Sequence, residues 1–322
     1  MIDISVSLYS FSVKFFERSY DLEDCVRKAS ELGFKGVEIV AAQMIENYPN
    51  PTDEWCEWFK GILKKYNMEP LSYSAYIDMG QHTGRDLTEE EIFQCTLNDI
   101  IYANRLGFHI VRTQHAISPA ILEKMIPYAK KWNVWIGVEL HAPHNCRVGV
   151  WKEYFELFDR VGSDYIGVVP DMGIFQEHPH ELFKHTAVES GIDKVQLESM
   201  IEDFENGMSK ASMEKKYSIS EAEQIAVLDN MYSTFHPATL EDFERMVPHS
   251  KYMHGKFYYI NENEEDTCIP YRSIVQKISD LGFHGHIAAE YEGHFSDGTI
   301  DCVEQLRRYS NMMHRLVKEM TP

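Results

Sequence analysis

Three stretches of the chain share one pattern. ELGFKGVEI (31–39), RLGFHIVRT (105–113) and DLGFHGHIAAE (280–290) each run from a helix end, through a glycine and a phenylalanine, into a strand. The glycine fits the left-handed residue that stops a helix, and the phenylalanine is placed to pack beneath a sheet. A motif that recurs in front of strands marks a repeated βα architecture.

The rest of the chain follows the same alternation. Strand-like runs at 4–10, 36–40, 70–77, 109–114, 134–140, 165–170, 251–260 and 286–291 are each followed by a helix-like stretch. These stretches lie around 21–32, 53–66, 88–105, 119–131, 150–161, in a long region after 170, and at 271–281 and 300–319. Strands alternating with helices imply parallel pairing with crossover helices. Eight such units favour a (βα)₈ barrel, an α/β fold, over a doubly wound sheet. No GxGxxG follows the first strand, so the dinucleotide-binding fold lacks its usual mark.

One interval breaks the rhythm. Glu139 to Asp171 spans 32 residues and His254 to Glu290 spans 36, each about one βα unit, whereas Asp171 to His254 spans 83. The excess falls in 178–246, a charged, helix-prone segment too long for a connecting loop. The expectation is a single barrel domain over 1–322 with a helical insertion at 178–246, after strand six. That is the side of a barrel that carries catalytic loops, so the insertion is read as a lid, a docking surface or an enlarged helix layer.

Charge excludes several classes. With 31 basic and 51 acidic residues the net charge is −20, which argues against a nucleic-acid partner and gives no support for an anionic membrane surface. No apolar run approaches a membrane span. The start, MIDISVSLYSF, has Asp3 and no basic region before an apolar core, unlike a signal peptide. The six cysteines form no CxxC pair, so reduced thiols in a cytoplasmic protein are expected.

The residues that point to chemistry stand at strand ends. Glu139 closes VWIGVE, Asp171 closes YIGVVPD, His254 closes YMH and Glu290 closes HIAAE. An acid inside a barrel strand is costly unless paired or bound to metal, and one at the carboxyl end points into the mouth where active sites sit. Three carboxylates and one imidazole form a mostly oxygen-donor set. It suits Mn²⁺ first, with Mg²⁺, Co²⁺ or Zn²⁺ as alternatives, and not a structural zinc site rich in Cys and His. Around them, His141 is a candidate general base, because an imidazole titrates near neutral pH; the competing role is a hydrogen-bonding support. Lys256 is a candidate for stabilising an oxyanion, or else forms a salt bridge at the rim. Arg112, Gln114 and His115, at the end of strand four, and Glu292 and His294, after strand eight, are candidate substrate-binding groups. His141/His144 and His178/His180 are read as solvated loop histidines, and Trp132 and Trp135 as packing residues at the opposite end of the barrel.

These residues, in this order, resemble the xylose isomerase-like barrels, a superfamily of sugar isomerases, epimerases and dehydratases related to endonuclease IV. The resemblance covers essentially the whole chain. It implies Glu139 as the ligand of strand five in the phrase Glu139-Leu140-His141, Asp171 in PDMG for strand six, His254 with Lys256 in MHGKF for strand seven, and Glu290 in AAEYEGH for strand eight. It also implies that the two glutamates can themselves serve as bases, as in the epimerases. One departure stands out. The histidine of the family's DxxH phrase is replaced by Ile174, which would move any such role to His178 or His180. The acidic charge and single histidine ligand set the chain apart from the three-zinc endonucleases.

A narrower resemblance joins YMHGKFYYINENEEDTCIPY, the EYEGH ending and the long insertion to the catalytic large subunits of bacterial C-glycoside deglycosidases. It implies a lyase for 3-oxo-C-glucosides of flavonoid or isoflavone type, abstracting the proton at C2 with His141 and eliminating the aglycone from C1. It also implies a small β-sandwich partner subunit. The alternative is a sugar or sugar-phosphate isomerase or epimerase acting through a cation-stabilised enediolate.

Overall fold

The computed structural model describes residues 2–235, 238–294 and 300–320. Eight strands form one sheet: β1 (Ile2–Ser7), β2 (Gly36–Val40), β3 (Glu69–Ser74), β4 (Ile110–Thr113), β5 (Trp135–Leu140), β6 (Ile166–Pro170), β7 (Tyr252–Phe257) and β8 (Gly285–Tyr291). Their order is β6-β5-β4-β3-β2-β1-β8-β7, with every pairing parallel. The two terminal strands meet through a parallel bridge between Asp171 and His254. The result is a nearly closed (βα)₈ barrel.

The strands form because they are short apolar runs covered on both faces. In β5 and β6 every residue is buried. The crossover helices are α1 (Leu22–Glu31), α2 (Asp53–Lys65), α3 (Glu89–Leu106), α4 (Pro119–Trp132) and α5 (Gly149–Val161). Their starts carry their own signals. Asp21 and Thr88 each close a capping box, and Thr52 and Ser118 each accept a backbone N–H from the first turn. The recurring glycines behave as their context predicts: Gly33, Gly107 and Gly282 all have positive φ, between 73° and 93°. The phenylalanines after them, Phe34, Phe108 and Phe283, are buried, each contributing roughly 1.5–3 kcal/mol of apolar burial.

Strand boundaries differ from expectation in three places. β1 ends at Ser7, because Ser7 Oγ accepts the amide of Tyr9 and turns the chain into a 3₁₀ helix, Leu8–Phe11. β3 stops at Ser74 and β7 at Phe257, each three residues short of the apolar run that encodes it. Pairing ends there even though apolar sequence continues.

Among the described residues, α6 (Glu181–Glu189), α7 (Lys194–Glu205), α8 (Lys210–Lys216) and α9 (Ala222–Thr234) lie between β6 and β7, followed by a one-turn helix at Phe243–Met246. Helices α6 to α9 bury their own cluster, including Phe183, Leu197, Met200, Leu228 and Phe235, separate from the barrel core. Residues 236 and 237 of the 178–246 segment lie outside the described residues. Two further helices, α10 (Tyr271–Asp280) and α11 (Cys302–Met320), complete the outer layer.

Trp135 fills the amino-terminal end of the barrel with Leu71, Ile110, Val169 and Tyr252, while Trp132 packs from α4 onto the main core. A cavity of about 400 Å³ opens at that end, beside Glu69, His109, Lys251 and His286. It lies away from the carboxyl ends of the strands. All six cysteines are free thiols. No helix among the described residues is long and apolar enough to cross a membrane.

Candidate metal centre

Glu139 is the fifth residue of β5, Asp171 directly follows β6, His254 is the third residue of β7, and Glu290 is the sixth of β8. All four are buried, and one ligand atom from each lies within 4.8 Å of the other three. The register of the sheet brings them together. β7 pairs with β8 so that His254 faces Ala288 and Lys256 faces Glu290, and the Asp171–His254 bridge sets β6 against β7.

Local sequence aims each side chain. Asp171 caps the 3₁₀ turn Met172–Phe175, its Oδ1 accepting the Gly173 amide at 2.6 Å, which leaves Oδ2 toward the cluster. Gly173 is needed there: a Cβ would stand 2.8 Å from Asp171 Oδ1. His254 Nδ1 lies 2.8 Å from Glu139 Oε1 and 3.2 Å from Glu290 Oε2.

Cations surround the carboxylates. Lys256 Nζ is 2.9 Å from Asp171 Oδ2, 3.2 Å from Glu290 Oε2 and 3.1 Å from Glu292 Oε1. Arg112 Nη1 is 2.9 Å from Glu139 Oε2, and Nη2 stands 3.5 Å from Glu38 and 3.7 Å from Glu290. Burial pushes the Glu139 carboxyl up, but Arg112 and His254 outweigh it and hold it at about 2. Glu290 is likewise held low, with His254 and Lys256 overcoming burial. Burial wins at Asp171 and at Glu292, which are raised despite Lys256.

The arrangement fits a divalent cation. Asp171 Oδ2, His254 Nδ1 and Glu290 Oε2 are buried and, although ion-pair partners are near, none makes a well-formed hydrogen bond. Buried polar atoms left in this way call for a partner. Three such atoms converging with Glu139 form the donor set a cation would use.

The other predicted residues divide into two groups. His141 follows β5 directly and is half-buried. Its Nδ1 lies 2.7 Å from the Ala142 carbonyl oxygen, which can only accept, so Nδ1 carries the proton and Nε2 of the neutral ring keeps its lone pair. His115 and His144 lie near it, with ring centroids 6.4 and 6.3 Å away, and burial lowers both of their pKa values. Gln114 is half-buried after β4. Glu292 meets Lys256, and the His294 ring packs edge-on to Tyr9 and Tyr291.

Arg112, expected to bind substrate from the end of strand four, lies inside the barrel near the cluster. It is 1% exposed, and its guanidinium is shared among buried carboxylates. A side chain so enclosed serves as an internal counter-charge. His178 pairs with Glu205 of α7, and His180 caps α6 and stacks on Tyr258 at 3.6 Å, so both are engaged with the insertion.

One residue had escaped sequence reasoning. Glu38 of β2 is fully buried, 3.2 Å from His254 Nε2. A signal for it existed: Glu38 and Arg112 follow Gly33 and Gly107 at the same offset within the repeated motif, and an acid inside a doubly covered strand needs a partner.

The family profile described as xylose isomerase-like TIM barrel matches residues 26–309. The 3'-dehydrocarminate deglycosidase alpha subunit of a Microbacterium species is 29% identical over 336 residues, covering 98% of this chain and 96% of the relative. C-glycoside deglycosidase alpha subunits from Microbacterium trichothecenolyticum (27% identical, 89% and 83% covered) and Arthrobacter globiformis (25%, 99% and 93%) also align. Among solved structures, D-psicose 3-epimerase from Clostridium cellulolyticum H10 superposes with a TM-score of 0.61 at 11% identity, covering 98% of this chain and 99% of that one. A sugar phosphate isomerase/epimerase from Parabacteroides distasonis gives 0.58 at 11%, with 99% and 95% covered. At that identity the structures share the fold.

Proposed function

The chain belongs to the xylose isomerase-like TIM-barrel family, and within it we propose a cation-dependent C-glycoside deglycosidase catalytic subunit: a carbon–carbon lyase for 3-oxo-C-glucosides. One observation favours lyase over isomerase. Relatives named as deglycosidase alpha subunits align along 89–99% of the chain, whereas the epimerase structures are similar in fold alone.

Glu139, Asp171, His254 and Glu290 would hold the cation. When bound, it polarises the 3-oxo group and stabilises negative charge on that oxygen. The oxygen-rich set fits Mn²⁺ first, with Mg²⁺, Co²⁺ or Zn²⁺ as alternatives.

The chain's own residues carry the remaining steps. His141 Nε2 takes the proton from C2 of the sugar. The electron pair of that C–H bond is first shared onto the 3-oxo oxygen, then returns to form the C1–C2 double bond as the bond from C1 to the aglycone carbon breaks; the leaving carbon keeps that bond's pair and takes up a proton, which the protonated His141 can return. Lys256, kept charged by Asp171, Glu290 and Glu292 despite its burial, adds positive charge beside the developing oxyanion. Gln114, His115, Glu292 and His294 line the approach to the sugar. The enzyme works as a hetero-oligomer with a small β subunit; the word alpha in the relatives' names supports a partner subunit. Its six free thiols support a reducing, cytosolic setting.

The test is release of free aglycone. Purified chain, partner subunit and Mn²⁺ are incubated with 3-oxo-C-glucosides of several flavonoids, and products are followed by chromatography. Aglycone appears with the full mixture and not after EDTA treatment. No release across the panel, with deuterium from D₂O entering a free ketose instead, overturns the lyase in favour of an isomerase.

A further inference from the structure

We propose that Glu38 is a positioning residue for the cation site: it accepts the Nε2–H of His254 and thereby turns Nδ1 of the same ring toward Glu139, Asp171 and Glu290. The inference rests on the reading that this quartet holds a cation.

The two ring nitrogens of His254 face opposite ways. Nδ1 looks at Glu139 and Glu290, at 2.8 and 3.2 Å, while Nε2 lies 3.2 Å from the Glu38 carboxylate. A neutral imidazole has one N–H and one lone pair. An ionised carboxylate only accepts, so the nitrogen that meets Glu38 carries the hydrogen and the other is left to a cation. Glu38 itself is not among the residues whose ligand atoms converge. It stands behind the ring.

The carboxylate is held where it is. Ser7 Oγ of β1 donates to Oε1 at 2.8 Å. Ser72 Oγ of β3 and Tyr252 OH of β7 donate to Oε2, at 2.8 and 3.0 Å. Arg112 of β4 adds its Nη2, 3.5 Å from Oε1. Groups from four strands thus fix a side chain from a fifth, and swinging it toward the cation would forfeit those bonds.

Packing alone does not call for a carboxylate here. Burying an ion is costly, and a well-fitted apolar replacement for a buried ion network is often neutral or stabilising. Fixing the orientation of a ligand histidine does call for one. The second nitrogen of a metal-binding histidine commonly donates to a carboxylate, and losing that partner weakens metal binding about 10- to 100-fold.

Two measurements on the purified full chain decide it, with Zn²⁺ as a diamagnetic probe. In the ¹⁵N-labelled, Zn²⁺-loaded wild type, ¹H–¹⁵N correlations through the imidazole should show His254 protonated at Nε2 and metal-shifted at Nδ1; the reverse pattern overturns the proposal. In a chelator competition, Glu38→Ala should bind Zn²⁺ about 10- to 100-fold more weakly, and Glu38→Gln, whose amide oxygen can still accept, should fall between. Variants with the wild-type urea midpoint and wild-type Zn²⁺ affinity overturn it. Should Glu38→Ala fail to fold, Glu38→Gln and the wild-type spectrum still decide. A wild type that takes up no Zn²⁺ refutes the cation reading of the quartet itself, whereas a wild type that binds normally beside unaffected variants refutes only the role of Glu38.

Discussion

Asp171 and His254 face each other in the parallel bridge between β6 and β7, so two members of the acidic cluster also form the seam of the barrel. The other neighbouring strands are joined by longer ladders. Closure of the fold and assembly of the site are therefore one event, and a change that opens the seam should be felt at the cluster.

Gly167 of β6 tests that coupling. A Cβ there would meet the His249 carbonyl oxygen at 2.0 Å, so alanine forces backbone apart just ahead of β7. Gly167→Ala should lose roughly 1–3 kcal/mol of stability by overpacking. Mn²⁺ binding should weaken about tenfold, equivalent to about 1.4 kcal/mol. Urea unfolding and titration calorimetry measure the two; lowered stability with unchanged affinity would uncouple seam from site.

Lys256 sits against the same oxygens a cation needs, Asp171 Oδ2 and Glu290 Oε2. Removing its charge lowers the repulsion felt by an incoming cation. Lys256→Met should therefore bind Mn²⁺ more tightly, by about tenfold. It should also lose turnover by about 100-fold or more, as for a lost group that stabilises developing charge. Tighter binding with reduced kcat is the signature; weaker binding would make Lys256 a structural support.

Glu290→Gln removes one charge from the proposed cation site without changing the shape of the side chain. Metal content after purification, read by elemental analysis, should fall below about one tenth of wild type, since losing even a group that only supports a ligand weakens binding about 10- to 100-fold. Full occupancy would remove Glu290 from the ligand set.

Arg112 neutralises Glu139 and Glu38 from inside the barrel. Arg112→Met leaves those carboxylates without their counter-charge and should cost about 3–5 kcal/mol in unfolding free energy. Arg112→Lys should recover only part of this, because an ammonium cannot present the same planar fork to three carboxylates.

Asp99 of α3 predicts a pH effect remote from the site. Burial raises its carboxyl from an ordinary 3.8 to about 7, against the opposing hydrogen bond from Tyr48. The folded chain thus holds this proton more tightly than the unfolded chain. The stability it contributes is fully present below about pH 3.8 and is lost as pH rises through about 7. Asp99→Asn cannot ionise. Relative to wild type it should gain stability progressively from pH 4 upward and level off above 7, at roughly 1–4 kcal/mol. Urea unfolding across that range checks it; a difference independent of pH would mean that Asp99 is not the titrating group.

Much of the fold was legible because its causes are local. An apolar run of four to six residues, a glycine that stops the preceding helix and a phenylalanine to bury can all be read within ten positions, as at Gly107, Phe108 and Ile110–Thr113. Strand ends were less legible. Apolar sequence continues past Ser7, but a serine-to-backbone bond turns the chain there. The quartet was legible as a group because a charged residue ending a buried run is conspicuous, and four in order at barrel spacing are more so.

The sequence by itself determined the alternation of strand and helix and marked Glu139, Asp171, His254 and Glu290 as one set. Tertiary structure alone decided how that set is supported. Glu38 and His254 stand 216 residues apart and meet only when β2 and β7 face each other across the barrel. The same closure draws Arg112 inward to the carboxylates. Hydrophobic periodicity acts between neighbours along the chain and can be read there. Which nitrogen of an imidazole is free, and which carboxylate an arginine answers, depends on charges brought within a few ångströms by folding.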